Sequence, residues 1–207
     1  MSWESIFSAG LSDDDAQAWG RLVAELGELH DVLASMRFER SEVDGLAADL
    51  ETWHEKLAPY VGEEMDQANG RVPQLPVRGH AMVPQIRVTS AGGGRVEGTV
   101  EFGRWFMGGG MAAHGGAVSL MFDEALGILA AVFAKTITRT AYLHVDYRAL
   151  TPIDTELVVE AWVDRERSVG RKIFVRGELR RGDVVCAEAD SLFLRLTPEQ
   201  GLGKRAT

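Results

Sequence analysis

Between Gly108 and Ala134 the chain reads GGGMAAHGGAVSLMFDEALGILAAVFA, and this stretch restricts the folds open to everything around it. It begins as a glycine-rich turn and continues as a helix with almost no polar face. From Ala117 onward, Val118, Leu120, Met121, Phe122, Leu126, Ile128, Leu129, Val132 and Phe133 cover the whole circumference. A soluble helix that is apolar all round is buried on most sides. Asp123 and Glu124 interrupt it midway, and spanning a membrane takes ~20 apolar residues, so the pattern predicts a core helix and no membrane span. A curved sheet is the natural wrapper. Asp123 then becomes conspicuous, because a carboxylate in apolar surroundings is usually paired or working.

Composition narrows the remaining choices. At 207 residues the chain is expected to be one domain, or one domain with an appendage. A single cysteine, Cys186, excludes an internal disulfide and a cysteine-rich metal site. His30 and His54 have no companions at ligand spacing, so neither is expected to hold a metal. The start, MSWESIFSAGLSDDD, has neither a basic end nor an apolar signal core, and a cytoplasmic location is expected. Charge is unevenly spread. Residues 1–70 carry 4 basic and 16 acidic groups, a formal −12, whereas the remainder carries 18 and 15, a formal +3. Nucleic acid is therefore not an expected partner, although the basic part suits a small phosphorylated ligand.

In chain order, the leader reads as two helices. Ser12 with Asp13, Asp14 and Asp15 is a strong helix start. Leu22, Val23, Leu26, Leu29, Leu33 and Met36 follow at helical spacing, and a second start at Ser41 precedes Val43, Leu46, Leu50, Trp53 and Leu57. Two such helices must lie on the body or on a partner chain, as a structural flap or as a lid. Asn69 to Gly79 looks like a linker. Beyond it the period becomes two: a hairpin from Pro84 to Phe102 precedes the organising helix. Strands at Thr140–Tyr147, Glu156–Val163, Lys172–Leu179 and Val184–Leu196 follow it, with a bulge expected near Glu188–Asp190. The predicted class is α+β, with one antiparallel sheet curled around one helix.

The motif His114-Gly115-Gly116, Asp123 nine residues after the histidine, and the strand Thr140–Tyr147 (TAYLHVDY) with Pro152 beyond it together resemble the hotdog-fold acyl-CoA thioesterases. More narrowly they are similar to the group of phenylacetate-pathway thioesterases and thioesterase superfamily members 2 and 4. The resemblance covers residues 80–197, leaving a helical extension at 1–68, a linker at 69–79 and a tail at 198–207. It implies an acyl-CoA substrate, no cofactor, and a homodimer with shared sites, or a tetramer built from it.

Helix-start amides lack internal partners and sit at the positive end of the dipole, so the Gly115 amide can stabilise a thioester oxyanion. By resemblance, Asp123 is the general base or the nucleophile, facing the glycine amide of the other subunit, and Thr140 helps hold the water. A carboxylate bonded to a backbone amide or to Arg139 is the plainer reading of Asp123. Glu124 is either the active carboxylate instead or an exposed residue at the helix edge. His114 shapes the turn or acts as a base. Ser119 contacts Asp123 or caps backbone, and no histidine is spaced to make it a hydrolase triad. Gly116 belongs to the substrate-binding turn. Some relatives carry Asn or Gln six residues before the histidine; here position 108 is glycine.

Coenzyme A phosphates need cations. Arg165, Arg167, Arg171, Lys172, Arg176, Arg180 and Arg181 crowd two neighbouring strands, with Arg148 a further candidate. Phe102, Trp105, Phe106 and Met111 point to an aliphatic or aromatic acyl group. The expected function is acyl-CoA hydrolysis; the alternative is a non-catalytic acyl-CoA-binding or regulatory protein.

Overall fold

The computed structural model describes residues 8–197; the expected tail at 198–207 lies outside them. Two helices lead, α1 (Asp13–Ser35) and α2 (Arg40–Leu57). A hairpin of β1 (Ile86–Gly92) and β2 (Arg95–Val100) follows, then a small ribbon of β3 (Met107–Gly109) and β4 (Ala112–Ala113). The organising helix is α3 (Gly115–Ala134). After it come β5 (Thr138–Tyr147), β6 (Leu157–Asp164), β7 (Lys172–Arg181) and β8 (Val184–Arg195). Six strands form one antiparallel sheet in the order β1-β2-β6-β7-β8-β5, and α3 packs on it.

Alternation along the central strands builds the seat for the helix. Leu157, Val159, Ala161 and Val163 of β6 and Ile173, Val175 and Leu179 of β7 face inward, against Met121, Phe122, Leu126 and Leu129 of α3. Gly177 lets the helix come close: a Cβ there would lie 3.0 Å from Leu126 Cδ2 and 3.2 Å from Phe122 Cε1. By length and composition α3 is the one helix among the described residues apolar enough to cross a membrane, yet half of it is buried in this fold.

The wrapping is one-sided, which corrects the picture of a helix covered all round. The sheet ends at β5, and among the described residues no strand lies beyond it to cover the adjoining face of α3. Asp123 and Val132 are exposed there, with Gly127 and Ile128 half-buried. The expected bulge is also elsewhere. Register shifts occur beside Ala141 in β5 and at Cys186 in β8, not at Glu188–Asp190.

The leader divides into a docked and an undocked part. Ser12 caps α1 as expected, accepting from the Asp15 amide. The other end of α1 is held by Asp31, whose carboxylate accepts from the Trp105 amide at 2.7 Å, while His30 stacks on the Trp105 ring. Helix α2 starts at Arg40 after Glu39, one residue before the expected Ser41, and buries no residue at all. Asn69 to Gly79 is not a free linker. Val72 is fully buried and Val77 nearly so, because this segment fills the space between α1 and the body.

An ionic cluster ties the sheet's outer face. Asp190 on β8 accepts from Tyr142 Oη at 2.6 Å and from Arg167, while Arg176 bridges it to Asp164. Burial alone would raise the Asp190 carboxyl, but the bonds from Arg167 and Tyr142 and the two guanidinium charges hold it below its ordinary 3.8. A carboxylate depressed by folding stabilises the native state above its unfolded value, and that contribution is lost as pH falls through the folded value. The Tm of Asp190→Asn is expected to fall less steeply than wild type below pH ~4. Parallel curves would contradict this.

Candidate active site

Of the first four amides of α3, three are engaged. His114 is the N-cap, and its Nδ1 accepts from the Gly116 amide at 2.9 Å. The amides of Ala117 and Val118 both donate to the His114 carbonyl. The Gly115 amide has no partner among the described residues. Two donors on the His114 carbonyl polarise the peptide unit that carries this free N–H, which strengthens it as a donor. The sequence placed the oxyanion donor at Gly115, and the geometry leaves this amide open.

The same geometry gives His114 its turn-shaping reading and places Gly116. With Nδ1 accepting from backbone, neutral His114 carries its proton on Nε2, so the ring atom facing the helix is a cap and not a base. Gly116 has its amide taken by that cap, and its α-carbon faces the imidazole, where a Cβ would lie 3.0 Å from Nδ1. The missing Asn or Gln at position 108 also has a steric reason: a Cβ there would stand 2.9 Å from His114 Cα.

Tyr147, which the sequence reading did not single out, locks the tip. Its hydroxyl donates to the Gly115 carbonyl at 2.8 Å and accepts from Ser119 Oγ at 2.8 Å. The chain of bonds therefore runs from Ser119 through Tyr147 to Gly115. Alternation in β5 could place Tyr147 on a face, but only the fold shows that this strand end reaches the start of α3. Ser119 contacts Tyr147 and not Asp123.

Asp123 lies eight residues beyond Gly115, about 12 Å along the axis at 1.5 Å per residue. It lines a surface groove of about 390 Å³ between α3 and the beginning of β5, together with Gly127, Ile128, Val132, Thr138, Arg139, Thr140 and Phe193. Thr140 Oγ1 donates to Asp123 Oδ1 at 2.9 Å. The register shift beside Thr140 suits this, since a bulge re-aims the side chains next to it. In the single chain Asp123 is exposed, which corrects the expectation of an oily burial.

The buried carboxylate is its neighbour. Glu124 was expected to be the active group or an exposed edge residue; its side chain is only 14% exposed and pairs with Arg78 at 2.8 Å. Burial raises the Glu124 carboxyl above its ordinary range, with Arg78 pulling it back and Asp123 adding to the rise. One residue along a helix turns 100°, and here that turn separates groove from interior.

Most of the basic crowd is already engaged. Arg148 lies between Asp146 and Glu188, Arg167 and Arg176 serve Asp190, and Arg180 holds Glu178. Arg165 reaches the Gly93 carbonyl and Arg171 the Arg195 carbonyl. Lys172 is exposed and has no carboxylate partner among the described residues. The residues expected to receive an acyl chain do not gather around Asp123. Phe102 is in the core, Trp105 is stacked under His30, Met111 is exposed, and none of them lines the groove.

Comparison with known proteins agrees with the geometry. Residues 111–188 match the model of the thioesterase superfamily. The chain is 32% identical over 91 residues to acyl-coenzyme A thioesterase THEM4 of Rattus norvegicus, and 32% identical over 89 residues to that of Bos taurus. These matches take in 43% and 42% of this chain but only 38% and 35% of the relatives. A crystal structure of a thioesterase superfamily protein, 23% identical, superposes with a TM-score of 0.71 over 85% of this chain and 94% of its own. It extends the fold likeness beyond the matched segment. The domain that curls its antiparallel sheet over α3 has the hotdog fold, and its residues 111–188 are similar to the thioesterase superfamily.

Proposed function

We propose that the protein is an acyl-CoA thioesterase, active as a homodimer. The observation that carries this reading is the pair of separated half-sites on one helix. A free amide at the α3 tip can stabilise an oxyanion, and an exposed Asp123 positioned by Thr140 can activate water or attack directly. About 12 Å apart on the same helix, they cannot serve one carbonyl within a chain. A two-fold dimer resolves this by setting the Asp123 of one protomer opposite the Gly115 amide of its partner. The uncovered face of α3 and the unpaired edge of β5 supply the surface for such an assembly, because exposed strand edges and apolar helix faces favour pairing.

In this arrangement the thioester carbonyl oxygen approaches Gly115 N–H. Asp123 either takes a proton from water as it adds to the carbonyl carbon or adds itself, forming an anhydride that water then opens. In both routes the tetrahedral oxyanion sits at the helix tip and collapse expels the coenzyme A thiolate. Lys172, exposed and without a carboxylate partner among the described residues, is a candidate to meet a phosphate. The relatives named as acyl-coenzyme A thioesterases support the substrate class.

A panel of aliphatic and aromatic acyl-CoAs tests the reading by thiol release, with Asp123→Ala alongside wild type. Hydrolysis by wild type that Asp123→Ala lacks supports it; acyl-CoA binding without hydrolysis would establish the non-catalytic alternative. Tyr147→Phe is expected to lower kcat about fivefold with KM little changed, the equivalent of one hydrogen bond of about 1 kcal/mol. Unchanged kcat would show that the helix tip does not need this anchor.

A further inference from the structure

Three consecutive residues just before the hotdog domain are left-handed: Val77, Arg78 and Gly79 have φ of 42°, 56° and 68°. For a β-branched residue such as valine that conformation is an outlier. Strain of this kind persists only where the surroundings over-determine it, and it concentrates at functional sites. Here the surroundings are specific. Val77 is buried in the core, and the Val72 amide donates to the Arg78 carbonyl at 3.0 Å. Trp19 of α1 donates its indole N–H to the Gly79 carbonyl at 2.9 Å, and its ring lies where a Cβ of Gly79 would be. Arg78 Nε donates to the Gly70 carbonyl at 2.8 Å. Held at these points, the Arg78 guanidinium meets Glu124 and lines the same groove as Asp123.

We infer that Arg78 is a positioning residue for the proposed hydrolysis, one that keeps Glu124 charged and fixed so that Asp123, bonded to Thr140, is the groove's working carboxylate. The inference rests on the thioesterase reading. Its physical basis is the proximity of two carboxyl groups. Without a cation the mostly buried Glu124 carboxyl is left unpaired, since burial pushes it upward and Arg78 is what pulls it back. Its stranded charge then bears on Asp123, one residue away along α3. The charged groups facing the groove are Arg78, Glu124, Asp123 and Arg139, with His80 close enough to Arg78 to be lowered by burial and by that charge. The helical leader thus reaches the site through Trp19, Gly79 and Arg78.

The test compares wild type, Arg78→Met, Arg78→Lys and the double variant Arg78→Met/Glu124→Gln, using hexanoyl-CoA and phenylacetyl-CoA hydrolysis across pH. Arg78→Met is expected to lose about tenfold in kcat/KM at neutral pH and to gain an ionisation on the acid limb. Adding Glu124→Gln, which removes the stranded charge, should abolish that ionisation and restore kcat/KM to within about threefold of wild type. Arg78→Lys should keep the wild-type profile shape. A double variant no better than Arg78→Met, or an Arg78→Met profile parallel to wild type with a lowered Tm, overturns the inference and leaves the thioesterase reading standing. A wild type that cleaves no thioester overturns both.

Discussion

Asp123→Asn is expected to reduce kcat by about 10²-fold or more while leaving Tm and KM close to wild type. The substitution is isosteric, and its amide oxygen still accepts the Thr140 hydroxyl that now reaches Oδ1. Asp123 is exposed in the chain and makes no core contact, so the fold has little reason to respond. What is lost is the negative charge, and with it both the capacity to accept a proton from water and the capacity to attack carbon. Thiol-release kinetics and a thermal melt on the same preparation check this. Retained turnover would remove Asp123 from the mechanism, whereas a large loss of Tm would show that its role is structural.

Gly115→Pro is expected to remove the other half of the proposed site while keeping the helix that carries it. Proline is favoured at the first helical position, where the missing N–H has no intrahelical partner. The preceding residue is compatible too: His114 has φ −63° and ψ 136°, within the extended region that a following proline requires. The ring's Cβ would sit 3.2 Å from the Tyr147 hydroxyl, a contact that a shift of that side chain relieves. The free amide disappears, and any further loss from moving Tyr147 is bounded by the about fivefold expected for Tyr147→Phe. Loss of one oxyanion donor lowers kcat about 10²- to 10³-fold, and that is the range expected here. Circular dichroism should report an unchanged helix content. Activity near wild type would mean the oxyanion is held elsewhere.

Much of this domain was legible before its structure. The all-round apolar pattern of Gly108–Ala134 announced the central helix, and period-two runs marked six strands of one sheet. The free amide at Gly115 follows from helix geometry alone. Other features depend on facts that periodicity does not contain. Apolar residues around a helix say that something covers them, not whether the cover is the chain's own sheet or a second protomer. That is why Asp123 proved exposed. Asp123 and Glu124 exchanged environments because a 100° step decides which one meets the interior, and the position of the sheet edge decides the step's meaning. Arg78 lies 46 residues before its partner in a proline-containing stretch that reads as linker, and no spacing rule connects them. Tyr147 is similar: its strand was recognisable, its bond to the helix tip was not. The basic crowd misled for a simple reason, since several of its members are paired across strands with acids distant in sequence.

The proposed two-protomer site can be tested by mixing the two variants. Asp123→Asn keeps its Gly115 amide, and Gly115→Pro keeps its Asp123 carboxylate. If each site draws one group from each protomer, a mixed dimer contains one complete site, and a fully exchanged equimolar mixture should recover about a quarter of wild-type activity. Activity that stays at the level of the separate variants, with subunit exchange shown to have occurred, would contradict the two-protomer site.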